Sequence, residues 1–128
     1  MVLLAQCIGA LFGLTAIVFG AFGAHALKKI MSPEQLASFE TGVKYQMYHA
    51  LVLLMLSFNM NLDTSLERYM VYCFVLGTFL FSFSIYGLCI SGAKGKKWTF
   101  LGPLTPLGGL FLVVGWGLLF YSFIQNLL

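Results

Sequence analysis

Two histidines, His25 and His49, could do acid–base or ligand chemistry from within apolar surroundings, because each lies in a run free of charged residues. Ionisable groups so placed are costly and are functional candidates by default. On a helix, Tyr45 lies one turn before His49 and Gln46 three residues before it, so all three crowd one side. Ser84 and Tyr86 in a later apolar run, and Thr105 at the head of the last, complete a candidate polar cluster. One reading of the cluster is a hydrogen-bond network tying helix ends together. The other is a pocket for a lipid headgroup, a small hydrophobic ligand or a partner protein, with the histidines as proton-responsive donors.

Other chemistry lacks its residues. Cys7, Cys73 and Cys89 form no Cys-x-x-Cys pair, which disfavours a disulfide-relay enzyme and leaves buried free thiols as the expectation. Two histidines at unconnected positions do not make a metal site. They could ligate a haem axially, but no motif supports that reading. No Ser or Cys has a base at a defined spacing, and no carboxylate lies mid-run where a proton-coupled exporter would need one. The expectation is no catalytic residue, no metal and no cofactor.

The elements that must carry these residues follow from composition. The chain has 128 residues, 60% hydrophobic and 9% charged, with mean hydropathy +0.94. A soluble domain is about a quarter charged, and so small a chain could not hide this much apolar surface in a core. Nucleic-acid binding is excluded as a main role, because the +3 net charge comes from scattered lysines. Charge-free runs occupy 1–27, 45–62, 69–93 and 98–128. About 20 helical residues cross a bilayer core, so each run is long enough for one crossing. The expectation is an all-α integral membrane bundle of four helices, with spans near 2–27, 44–58, 69–90 and 105–123. No Lys or Arg precedes the first apolar stretch, so it reads as a retained span and not a cleavable leader. Lys28, Lys29 and Lys44 flank one connection and Lys94, Lys96 and Lys97 lie in another, against Arg68 alone on the opposite side. The positive-inside rule then places both termini outside a multi-pass cell-membrane protein. His25 and His49 come to similar depth, with His49 about 7–8 Å past Lys44 at helical rise.

The connections have structure of their own. Ser32-Pro33-Glu34-Gln35 is a helix start: a capping hydroxyl, a proline suited to the first turn, an acid at the positive end and a Gln able to close a capping box. Leu36, Phe39 and Val43 then form an apolar stripe. These residues predict a short amphipathic interfacial helix over about 33–41, turning inward near Gly42. One long helix through Phe58 is the alternative. Thr105-Pro106 reads as a cap and first helical residue after a Gly102-Pro103 turn.

Small residues recur on one face of the first span, among them Gly9, Gly13, Gly20 and Gly23. Gly77 and Ser84 repeat at seven residues in the third, Gly108 and Gly115 in the fourth. In lipid, helices associate where small residues let backbones approach, so these stripes predict close packing. A stripe could equally face a second copy or a membrane-protein partner, so a homo-oligomer is plausible.

Four ordered motifs carry a resemblance across nearly the whole chain. They are Gly20-Ala21-Phe22-Gly23-Ala24-His25, then Thr41 to Leu51 (sequence TGVKYQMYHAL), then Ser84-Ile85-Tyr86, then Gly102 to Gly109 (sequence GPLTPLGG) with Gly115-Trp116. The chain resembles the small bacterial and mitochondrial membrane proteins related to transmembrane protein 256, the domain of unknown function 423. The resemblance implies a four-span membrane protein with no established activity. It marks His25, Tyr45, Gln46, His49, Thr105 and Trp116 as recurrent polar positions. The resulting expectation is a non-enzymatic membrane protein, in contact with lipids, that binds a ligand or partner at its cytoplasmic-leaflet side. The rival expectation is an oligomeric small transporter or channel subunit.

Overall fold

The computed structural model describes residues 1–128 and is all helical. Helix α1 spans Val2–Ala24 and is closed by the His25 amide, which donates to the Ala21 carbonyl at 3.2 Å. A single 3-10 turn, Leu27–Lys29, leads to Ser32, where α2 begins. The capping box read from Ser32 and Gln35 is formed in both directions: the Gln35 amide donates to Ser32 Oγ at 3.1 Å, and the Ser32 amide donates to Gln35 Oε1 at 3.0 Å.

Helix α2 then runs without interruption over Pro33–Asn59. The separate interfacial helix over 33–41 is therefore corrected: it is the first half of α2, and Gly42 does not break it. Gly42 is instead a point of close approach. A Cβ there would lie 2.8 Å from Cε1 of Tyr86, and the Gly42 carbonyl accepts from the Ser82 hydroxyl at 2.7 Å.

Helix α3 occupies Ser65–Ala93 and contains a π-helical turn at Phe79–Phe83. It starts earlier than the apolar run suggests, because Thr64 and Glu67 form a second capping box. The connection before it passes through Leu62, buried completely and held at φ 57°, a left-handed conformation that costs a branched residue energy. Core packing offsets that cost, since Leu62 joins the cluster of Leu53, Met70, Val71 and Phe74. After another 3-10 turn at Thr99–Leu101, helix α4 runs over Leu104–Leu127. It begins one residue before Thr105, with no side-chain cap, so the capping role expected of Thr105 is also corrected.

The helices pair as α1 with α2 and as α3 with α4, and the second half of α3 packs on α2. Glycines make the pairing close. Gly9, Gly20 and Gly23 face Leu54, Val43 and Phe39 of α2, and Gly13 faces Ala50 more loosely. Gly77 faces Leu112, Gly115 faces the Phe74 ring, and Gly108 meets the backbone of Phe81 in the π turn. These stripes thus serve contacts within one chain.

Three helical segments, Val2–Lys29, Ser65–Ala93 and Thr99–Leu127, are long and apolar enough to cross a membrane. Their outward faces carry large apolar side chains: Leu3 is 71% exposed, Val113 67% and Phe120 68%. Such a surface would be untenable in water and suits lipid.

Candidate functional site

Gln46 is the centre of the polar interior. Its side chain is wholly enclosed between α1, α2 and α3. Nε2 donates to the Phe12 carbonyl at 2.9 Å and to the Thr15 hydroxyl at 2.6 Å, and Oε1 accepts from the Tyr86 hydroxyl at 2.7 Å. The Thr15 hydroxyl donates in turn to the Leu11 carbonyl at 2.8 Å. Both amide hydrogens are used. A buried amide left unsatisfied would cost about 1–3 kcal/mol, so this closed network is a structural clamp. Phe19, Phe39 and Phe83 ring the Tyr86 side chain, with centroids at 4.9, 4.8 and 5.4 Å, and fix its aim.

His49 belongs to a second group, deeper along α2. Its Nδ1 lies 2.7 Å from the Tyr45 carbonyl, one turn back. A carbonyl can only accept, so Nδ1 carries the proton and Nε2 is left as the acceptor. There it receives the indole N–H of Trp116 at 3.2 Å. The Phe74 ring packs on both, with centroids 5.8 Å from His49 and 5.6 Å from Trp116. This neutral, doubly engaged imidazole joins α2 to α4.

A third contact joins α3 to α4: the Ser84 and Thr105 hydroxyls are 2.6 Å apart, and Ser84 also donates to the Phe81 carbonyl at 3.0 Å. The single cluster expected of His25, Tyr45, Gln46, His49, Ser84, Tyr86 and Thr105 is thus three separate contacts. Tyr45 takes part through its carbonyl, while its ring faces outward against Phe81 at 4.9 Å. His25 joins none of them. It is exposed at the end of α1, beside Phe22 in a shallow apolar groove. Depth alone brought it near His49 in sequence reasoning, but its position around the helix axis turns it away.

Two participants were missed. Thr15 lies off the glycine face of α1, and only its hydroxyl inside an apolar run marked it. Ser82 bonds Gly42 because the π turn rotates its side chain toward α2; that turn has no signature in the sequence.

The space at this end of the molecule lies elsewhere. A cleft of about 530 Å³ opens between the first turns of α2, the last turns of α3 and the 94–104 connection. Thr105 is the only residue of the expected cluster that lines it. Glu34, Ser38 and Thr41 of α2 and Lys97 of the connection supply its polar wall.

The profile of a family described as a protein of unknown function, DUF423, matches residues 19–109, which include Gln46, His49, Ser84, Tyr86 and Thr105. A UPF0382 membrane protein of Schizosaccharomyces pombe is 37% identical over 110 residues, 85% of this chain and 92% of its own. The UPF0382 inner membrane protein YgdD of Escherichia coli K12 is 37% identical over 117 residues, covering 91% of this chain and 86% of that one. A UPF0382 membrane protein of Haemophilus influenzae is 32% identical over 113 residues, covering 88% and 87%. No solved structure matches the chain.

Proposed function

The chain belongs to the DUF423 family of membrane proteins, and from that premise we propose a four-span, non-enzymatic binding protein whose site lies at the cytoplasmic leaflet. Helix α2 is the fourth crossing in this reading. Its mean polarity is raised by Glu34, Glu40 and Lys44, which sit in the half nearest the lysine-bearing connections. The second half, Ala50 to Phe58, is apolar and lies alongside α1. Both lysine-bearing connections then face the cytoplasm and both termini face outward. With Thr15, Gln46 and Tyr86 committed to one another and His49 to Trp116, the interior in this reading holds helices together and performs no turnover.

The observation that carries the binding role is the polar-walled cleft, in a molecule whose buried hydroxyl, amide and imidazole groups are otherwise nearly all partnered. Its volume falls in the range of small-molecule sites, about 300–1,000 Å³. The test is reconstitution. Protein in liposomes is expected to give no solute flux above empty vesicles, and to retain a bound small molecule through gentle purification, read by native mass spectrometry. Flux of a solute with nothing retained would identify a transporter or channel subunit instead.

A further inference from the structure

We propose that the cleft is a site for the headgroup of an amine-bearing zwitterionic phospholipid of the phosphatidylethanolamine class. This inference rests on the proposed binding role and names its ligand.

The cleft has two unlike walls. On α2, Glu34, Ser38 and Thr41 fall at i, i+4 and i+7, so one helical face presents a carboxylate and two hydroxyls in a column. That column extends about 10 Å along the axis at helical rise. Opposite it, α3 presents Ile85 and Leu88, an apolar wall. An occupant must therefore be polar along one side and apolar along the other. An amphiphile lying at the membrane boundary meets that requirement, and a fully water-soluble solute does not.

Charge at the mouth narrows the class. Glu34 and Lys97 both line the cleft, yet no Lys or Arg nitrogen lies within 4.0 Å of a carboxylate anywhere in the chain. The two opposite charges face one space without neutralising each other. A zwitterion satisfies both: its phosphate beside Lys97 and its ammonium beside Glu34. The Gln35 side chain adds a donor to the cleft wall, because its Oε1 is held by the Ser32 amide while Nε2 stands over Gly92. An anionic headgroup would leave Glu34 repelled. A choline headgroup would meet Glu34 and Ser38 with methyl groups, which cannot donate the hydrogen bonds these acceptors can take. A primary ammonium has three such donors.

Position supports the same class. The cleft lies where α2 begins, α3 ends and Trp98 is 53% exposed beside Lys96 and Lys97, an interfacial arrangement. Thr41 and Thr105 line its inner end, so a headgroup at the mouth directs its glycerol and upper acyl carbons down along Ile85 and Leu88.

The experiment is competitive lipid retention by the full chain in mild detergent. Equimolar phosphatidylethanolamine, phosphatidylcholine and phosphatidylglycerol of identical acyl chains are added, and adducts are counted by native mass spectrometry. Expected is retention of phosphatidylethanolamine about three- to five-fold above phosphatidylcholine, within the factor that one net hydrogen bond supplies. Glu34→Gln keeps an acceptor but removes its charge, so it should reduce that preference while leaving total lipid binding, and Lys97→Gln should weaken both zwitterionic lipids together. Both side chains are exposed, and unchanged melting temperatures of the variants confirm intact folds. Equal retention of the two zwitterionic lipids, or a preference unchanged in Glu34→Gln, overturns the assignment. Selective retention of phosphatidylglycerol overturns it too, while leaving the binding role standing. Retention of no lipid, together with solute flux in liposomes, would sink both.

Discussion

The Tyr86 hydroxyl donates to Oε1 of the Gln46 side chain across 2.7 Å, joining α3 to α2 over forty residues of sequence. Because the same Gln46 amide reaches Phe12 and Thr15, one side chain ties three helices together. In lipid the hydrophobic effect gives little drive for helix association, so such bonds and small-residue contacts carry much of the specificity.

Gln46→Leu should therefore cost about 2 kcal/mol, since it leaves the buried Tyr86 hydroxyl without its acceptor and removes the bonds to the Phe12 carbonyl and the Thr15 hydroxyl. Tyr86→Phe should cost less, near the ~0.6 kcal/mol average for interhelical bonds in membranes. The double variant should fall short of the sum, because both changes remove one shared bond. Thermal unfolding in detergent measures all three; strict additivity would show the pair to be uncoupled.

His49→Leu should leave membrane insertion intact and lower the melting temperature, by removing the acceptor of the Trp116 indole N–H. The loss should be about 1 kcal/mol, the net worth of one such bond. Trp116→Phe in the same background should then add little. Indole fluorescence gives a second readout, expected to change in His49→Leu because the Trp116 N–H loses its partner.

Glycine positions should divide by what stands over them. Gly108→Ala drives a methyl into the Phe81 backbone, which cannot rotate aside, and should destabilise by about 1–3 kcal/mol or prevent folding. Gly117→Ala meets nothing within 4 Å and should stabilise α4 by about 0.5–1 kcal/mol through helix propensity. Melting curves of the two variants should move in opposite directions.

Thr78→Val should be neutral or stabilising. The Thr78 hydroxyl is the one buried side-chain polar atom without a hydrogen-bond partner, so an isostere lacking it removes a desolvation cost. A clear drop in melting temperature would mean that the hydroxyl has a partner in the membrane.

Acid should loosen the start of α3. The Thr64 and Asp63 amides each donate to the Glu67 carboxylate at 2.9 Å, and the Thr64 backbone bond chiefly holds its pKa below the ordinary value. A depressed pKa means that the unfolded carboxylate takes up its proton first on acidification. The contribution is fully present above the unfolded value and is lost as pH falls through the folded one. Glu67→Gln keeps a capping side chain but should flatten stability between about pH 5 and 3. A variant tracking the parent across that range would exclude Glu67 as a source of acid sensitivity.

Much of this architecture was legible because lipid imposes simple rules. Charge-free run lengths outlined α1, α3 and α4, and the Ser32–Gln35 capping box marked the start of α2 to the residue. Gln46 and Tyr86 stood out as polar groups in apolar runs, and the structure does bring them together. Rotation about each helix axis was not legible: His25 and His49 share a depth but not a face. Nor was the π turn at Phe79–Phe83, which places Ser82 on Gly42 and Phe81 on Gly108, because its cause lies in packing between helices. Gly42 shows the ambiguity at one residue. Glycine breaks helices and also permits close approach, and only the neighbouring Tyr86 ring shows which applies.

Topology tests the central claim most directly. Alkaline phosphatase and green fluorescent protein, each fused after Leu128 and separately within residues 94–97, report the side of each position in a bacterial inner membrane. Four crossings with the cleft inward predict phosphatase activity at Leu128 and fluorescence at 94–97. Fluorescence at Leu128, or phosphatase activity at 94–97, would contradict it.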